Sequence, residues 1–494
     1  MNLVIPLSDP LSSRRGPLFS QIYRGFREAV LSGKLRSGER LPSTRELAEQ
    51  LDVSRTVVVL AYEQLLAEGY VSGKQGSGTY VTGTLNLRPM QERITTRSFR
   101  LSEYGRRVTA STLELSYARQ RAKPPRYDFI YGRSNIDLFP FETWRRMLLR
   151  TARVAPVREL DYGATAGSLE LREAIAAHLK RSRGVVCDAE QILILNGSAQ
   201  ALDLIVRVLV EAKDAIAVED PGYQGTREIL RAARARLQPV PVDHDGILVE
   251  RIPAGTRMVF VTPSHQFPTG AVLPLARRLA LLGWAKRRNA LIVEDDYDGE
   301  FRYAGQAIES LQGLDREERV IYIGTFSRTV FPALRIGYLI APRALMPALT
   351  AAKWLCDRHT STLEQRTLAE FIASGMYERF LRRVRRSNAS RRDALLESID
   401  AAFGDDIEVT GQGAGAHVVV WPKQPIDEAH AIRRAEERGI GIYGVSPYYV
   451  GKKGRPGIIL GFARLSEAEI REGILRLRGI FETGHPGEAT AAAR

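Results

Sequence analysis

The sequence predicts an α/β chain in two parts: a short helix-turn-helix with a trailing β-hairpin, then a large domain on a mostly parallel sheet. Three observations carry this reading. Two short capped helices follow one another across a tight turn between Pro42 and Gly69. Beyond residue 125, apolar strands alternate with amphipathic helices, and the strands run into Gly- and Pro-marked turns such as Asn196-Gly197-Ser198, Asp220-Pro221-Gly222 and Pro263 to Gly270. Between these parts, Gly83 to Arg126 holds ten basic residues against three acidic ones, shows no sustained helical or strand period, and ends in Pro124-Pro125. Those are marks of a linker. The expected boundaries are 1–82, 83–125 and 126–494.

Composition narrows the function classes. The chain has 494 residues, 44% hydrophobic and 26% charged, a globular balance with room for two or three cores. Met1 to Pro10 is neither basic nor followed by a long apolar run, and no stretch approaches the length of a membrane span. A cytoplasmic chain without a membrane partner is expected. Cys187 and Cys356 are the two cysteines and read as reduced packing residues, not as a disulfide or metal site. The net charge of +14 points to a polyanionic partner. Half of it sits in the linker segment, which reads as a solvated tether or as one that also follows DNA phosphates.

The N-terminal elements come in order. Leu18 to Ser32 sets Ile22, Phe26 and Val30 four residues apart and stops at Gly33, giving an amphipathic helix. Ser43 and Glu46 form a capping box for a second, short helix carrying Leu47, Ala48 and Leu51. Ser54 can cap a third, which runs to Glu68 before Gly69. Tyr70 to Thr82 reads as two strands around a Gly-rich tip, a wing. The stretch RLPSTRELAEQLDVSRTVV, with EGYV and GSGTYV after it, resembles the winged helix-turn-helix of GntR-type transcription regulators. The resemblance implies double-stranded DNA as partner. It sends Arg45, Arg55 and Thr56 to phosphates or base edges and Gln75 and Gly76 to the minor groove. Ser54, at the same helix start, is expected to act chiefly as the cap. A small three-helix domain that only mediates protein contacts is the alternative.

In the large domain, Gln191 to Arg207 reads as a buried strand, a Gly-Ser turn and an amphipathic helix, which aims backbone N–H groups at an anion. Gly197, Ser198, Ala199 and Gln200 would form the cup, although an ordinary βα turn looks the same. The apolar strand in ALIVEDDYDGEF ends in carboxylates, a costly placement unless one meets a positive partner. A metal cluster there lacks flanking His, and no metal is expected.

DYGATAGSLELREAIAAHLK, AIAVEDPGY, MVFVTPSHQFPTG and YIGTFSRTVFPALRIGY resemble successive motifs of fold-type I, pyridoxal phosphate-dependent aminotransferases. Their order behind a winged helix and a basic linker resembles the MocR subfamily of GntR-type regulators. That resemblance implies a homodimer with shared sites, in which Tyr162 reaches the cofactor phosphate of the neighbouring subunit. It lays Tyr223 on the pyridine ring, pairs Asp295 with the ring nitrogen and Tyr297 with the phenolic oxygen, and makes Thr325, Ser327 and Arg335 phosphate ligands. Phe267 takes the place of an asparagine, leaving His265 and Gln266 as polar neighbours. In GRPGIILGFARL the family's substrate-carboxylate arginine falls on Ile459, with Arg455 and Arg464 as nearby substitutes.

One position departs from the enzymes. The cofactor lysine is Arg328, whose guanidinium neither forms a durable imine nor shuttles protons near neutrality. The expected protein is therefore a dimeric regulator that is not catalytic and senses pyridoxal phosphate, non-covalently, or an amino compound. An aminotransferase with an appended DNA-binding domain is the alternative from another class. A regulator turned to a different anionic effector, with Arg328 as its ligand, is the third reading.

Overall fold

A computed structural model describes residues 11, 16–74, 77–82, 99–110, 124–157, 161–303, 308–451 and 454–481. The chain divides after Arg100 into two compact units. In the first, helices Leu18–Leu31, Thr44–Leu51 and Arg55–Ala67 enclose Ile22, Phe26, Leu47, Val58 and Leu65, all essentially inaccessible. Both halves of the capping box form: Glu46 N donates to Ser43 Oγ at 3.2 Å, and Ser43 N to Glu46 Oε2 at 2.8 Å. Asp52, at φ +51, ends that helix and makes the turn. Strands Val71–Lys74 and Gly78–Val81 pair antiparallel as the wing.

Two expectations need correction. Ser54 holds the cap position of the third helix in extended conformation, but its side chain makes no capping hydrogen bond. The segment 83–125 contains a helix, Glu103–Ala110, that belongs to the large unit: Arg107 Nε donates to Ala232 O at 2.9 Å. At eight residues, with Gly105 inside, the helix is too short to show a sustained period. Residues 83–98 and 111–123 lie outside the described residues.

The large unit is built on an eight-stranded sheet among the described residues, in the order Ile192–Leu195, Gly337–Ile340, Val320–Thr325, Leu291–Asp295, Met258–Val261, Ala215–Asp220, Arg236–Asp243 and Gly246–Ile247. The five central strands, Val320–Thr325 through Arg236–Asp243, run parallel. Gly337–Ile340 runs antiparallel to both neighbours. Near-continuous apolar runs such as ILIL and MVFV suit strands covered on both faces by helices. A smaller antiparallel sheet, Ile407–Thr410, His417–Pro422, Ile458–Gly461 and Tyr443–Gly444, follows, packed on helices Met376–Phe403 and Glu467–Phe481. The basic run Arg379 to Arg392 lies on the first of these helices, around buried Phe380, Leu381 and Val384.

Candidate effector-binding site

Register decides what meets at the sheet's edge. Val218 pairs with Phe260, Val261 with Glu294, and Asp295 with Ile323, so four parallel strands end side by side. Their carboxyl ends deliver Glu219 to Tyr223, Thr262 to Phe267, Asp295 to Asp298, and Thr325 to Arg328 to one place, where ligands of such sheets lie.

A candidate anion-binding end comes from the flanking strands. Gly197, at φ +97, precedes helix Ser198–Leu209, whose first turn leaves N–H groups without intrahelical partners. A Cβ on Gly337 would sit 2.8 Å from Gly197 Cα, so only glycines let the two backbones meet. Arg335, in the left-handed region at φ +53, folds its guanidinium over Gly197 and donates to Asn196 O at 2.6 Å. Thr325 Oγ1 accepts from Ser327 N at 3.1 Å on the neighbouring turn. Gln200 turns the other way: its Oε1 accepts from Asn196 N at 2.7 Å, and its Nε2 donates to Asp357 at 2.8 Å. At Gln200, any role in the cup falls to the backbone.

At the other end, Asp295 Oδ1 is shut off from solvent without a hydrogen-bond partner. Burial, helped by neighbouring Asp296, pushes its carboxyl up to about 7, and Arg328 pulls the other way. Tyr223 lines the same cavity as Asp295. Phe267 stands edge-on to both Tyr223 and Tyr297, at 6.0 and 6.1 Å between ring centres. The Tyr297 hydroxyl donates to His265 O at 2.9 Å and lies 3.2 Å from His265 Nδ1. Arg328 Cζ is 5.6 Å from the Tyr297 ring centre.

Asp295 and the Arg335 turn suit a phosphorylated pyridine, whereas the Tyr297 hydroxyl, which donates to His265 O, would have to turn to meet a phenolic oxygen. A protonated ring nitrogen would satisfy the orphaned Asp295 oxygen, and Arg335 with the helix N-terminus suits a phosphate. Tyr162 is 76% exposed, beneath the Arg358 guanidinium at 5.3 Å. Arg45, Ser54, Arg55 and Thr56 are exposed at the helix-turn-helix, and Arg55 Nε donates to Thr44 Oγ1 at 3.3 Å. Gln75 and Gly76 lie outside the described residues.

Arg455, the nearby substitute for the carboxylate arginine, has a partner on the chain itself. It pairs with Glu408 at 2.7 Å over the Trp421 ring, in a separate cleft lined also by Thr269, Gly270 and Tyr449. Ile459 is buried among Tyr131, Phe267 and Tyr448, and Arg464 is exposed.

The chain matches the family of bacterial regulatory proteins, gntR family, over residues 18–81, and the aminotransferase class I and II family over residues 133–477. It is 37% identical to YdeL, an HTH-type transcriptional regulator of Bacillus subtilis, covering 94% of this chain and 97% of that one. The chain belongs to the MocR-type regulators of the GntR family. The probable rhizopine catabolism regulatory protein MocR of Rhizobium meliloti is likewise 37% identical over 94% of each chain. The large unit of this MocR-type chain is similar to the solved kynurenine aminotransferase of Pyrococcus horikoshii, with a TM-score of 0.69 and 28% identity over 78% of this chain and 95% of that one.

The structure also gathers residues around those named from the sequence, among them Glu219 and His417, which sequence reasoning passed over. Glu219, 5% exposed, accepts from Thr262 and Gln266 beside Asp295. It is the penultimate residue of AIAVED, the same signal of an acid closing an apolar strand that singled out Asp295. His265, Asp298 and His417 bring ligand-type atoms within 4.8 Å of one another. Their partners are internal: His265 Nδ1 faces the Tyr297 hydroxyl, and His417 Nε2 donates to Pro268 O at 3.0 Å. The Arg328 charge acts on Asp298 and His417 and opposes a further cation. Gly132, which faces Arg328, carried no sequence signal beyond its place in a YGRSN turn.

Proposed function

We propose that this MocR-type regulator binds DNA through its winged helix and senses pyridoxal phosphate or a related amino compound without covalent capture, and that it does not transaminate. The observation that carries this reading is a contrast inside one site. An orphaned carboxylate for a ring nitrogen and a cationic cup for a phosphate surround a guanidinium where the enzymes need an amine. Gly197 to Gln200, Thr325, Ser327 and Arg335 would hold the phosphate. Asp295 would take the ring nitrogen, Tyr223 the ring face and Tyr297 the phenolic oxygen, with Tyr162 reaching in from the second subunit of a homodimer. Bound pyridoxal phosphate supplies an electron-withdrawing ring and an aldehyde, but Arg328 offers no free amine to hold that aldehyde or to move a proton. What remains is recognition. A ligand that binds two arrangements of the subunits unequally shifts their populations, and with them the spacing of two winged helices on DNA.

The exposed side chains of Tyr162, Trp354 and Leu355, at 76, 48 and 79%, support the shared-site dimer. The test is a titration of the full chain with pyridoxal phosphate, followed by dialysis, borohydride reduction and intact mass. Saturable binding without a mass increase supports the reading, and turnover of an amino acid with a keto acid overturns it.

A further inference from the structure

An arginine is longer than the lysine it replaces, and its end needs room. Gly132, at φ +74, provides it: a Cβ there would fall 2.6 Å from Arg328 Nη1 and 2.9 Å from Nη2. The guanidinium lies in that gap, with Cζ 5.6 Å from the Tyr297 ring centre, and its charge acts on Asp295, Asp298 and His417. It therefore stands at the Tyr297 end of the pocket, where the ring's 4-substituent would face if Asp295 takes the nitrogen.

The chemistry of that substituent follows from its neighbour. An ammonium there would be repelled by Arg328, and an aldehyde is a weak single acceptor. A carboxylate matches the fork of a guanidinium and can accept two parallel N–H bonds. Five donors let arginine keep protein partners on one edge and use another for a ligand. Asp298, the carboxylate that could repel a ligand acid at this end, lies 3.7 Å from His265 Nδ1 and under the Arg328 charge. His417 donates away, to Pro268 O.

We propose that the pocket selects a phosphorylated pyridine that carries a carboxylate where pyridoxal phosphate carries its aldehyde, and that Arg328, seated against Gly132, is the residue that selects it. The proposal rests on the phosphopyridine reading above and narrows it to one oxidation state of the 4-substituent.

Calorimetric titration of the dialysed full-length protein with three probes tests it: pyridoxal 5'-phosphate, pyridoxamine 5'-phosphate and 4-pyridoxic acid 5'-phosphate. The expected result is at least a tenfold preference for the acid over both others, collapsing below threefold in Arg328→Gln. Arg328→Lys, which keeps the charge but not the fork, should also lose most of the preference for the acid over pyridoxamine 5'-phosphate, the probe that cannot condense with a lysine. Equal binding of aldehyde and acid by the unaltered protein, or an undiminished preference in Arg328→Gln with an unchanged melting temperature, overturns the selectivity and leaves phosphopyridine binding standing. Failure of all three probes to bind overturns both.

Discussion

The ammonium of Lys353, wholly inaccessible, donates to Asp357 Oδ1 at 2.8 Å, while Oδ2 of the same carboxylate accepts from Asn196 at 2.6 Å and from Gln200 at 2.8 Å. The helix Met346–Asp357 thereby grips, from behind, the Asn196-Gly197 turn that leads into helix Ser198–Leu209. Arg335 holds the same turn from the front through Asn196 O. A buried ion pair whose remaining donors and acceptors are met fixes geometry more than it adds stability.

Lys353→Met should therefore act on both stability and ligand. It leaves the Asp357 charge, partly exposed and still accepting from Asn196 and Gln200, without its ammonium partner, which should cost about 1.5 kcal/mol in denaturant unfolding. Gln200 and Asn196 then lose a fixed acceptor, and phosphate-dependent binding should weaken. Adding Asp357→Asn should recover part of the stability. Strict additivity of the two substitutions would show that the pair is not coupled.

Acidity at the strand ends predicts a pH profile. Burial first, and Asp296 second, raises the Asp295 carboxyl to about 7, and burial raises Glu219 to about 7 as well. An ordinary carboxyl titrates near pH 4, so the folded chain holds these protons more tightly than the unfolded one. That contribution is complete below about pH 4 and is lost as the pH rises through about 7. Ligand-free protein should thus lose stability from pH 5 to pH 8 more steeply than Asp295→Asn does, as read by denaturant midpoints. Parallel profiles would remove Asp295 as a titrating group.

The two serines at helix starts should behave differently. Ser43→Ala breaks a complete capping box and should cost about 1 kcal/mol. Ser54→Ala removes no capping bond and should leave unfolding nearly unchanged. Thermal unfolding of the isolated substitutions within the full chain separates them.

Arg55, exposed at the start of the third helix, should matter for DNA and not for the large unit's ligand. Arg55→Ala should weaken operator binding roughly tenfold and flatten its salt dependence. Pyridoxal phosphate binding should be unchanged. Equal operator affinity in a mobility-shift titration would withdraw the assignment.

Local chemistry made the strand-end turns legible: a Gly or Pro after an apolar run, or an acid closing one, reports a backbone that must bend or a charge that must be met. Asp295, Gly197 and the Ser43 box could be read that way. What joins segments far apart could not. Arg183 meets Asp296 at 2.8 Å across 113 residues, and Asn196 meets Asp357 across 161. Neither partner alone shows that it is paired. Lys353 was closer to visible: it follows Met346 and Leu349 on one helical face, and all three are buried. A charge on an apolar stripe announces a buried partner, though not which one.

The most direct probe of residue 328 is Arg328→Lys. The substitution supplies a group that can condense with an aldehyde, and Asp295, Gly197 and Arg335 are untouched by it. With pyridoxal phosphate it should acquire a new visible absorbance band and, after borohydride, a stable mass increase that the parent lacks. The lysine must lose its proton to react, and Asp298 at this end favours the charged form. The band should therefore strengthen as the pH rises above neutrality. A variant that binds the ligand yet never becomes labelled, even at alkaline pH, would mean that the gap at Gly132 draws the side chain away from the ring. Divergence from the enzymes would then extend beyond residue 328 to the backbone that receives it.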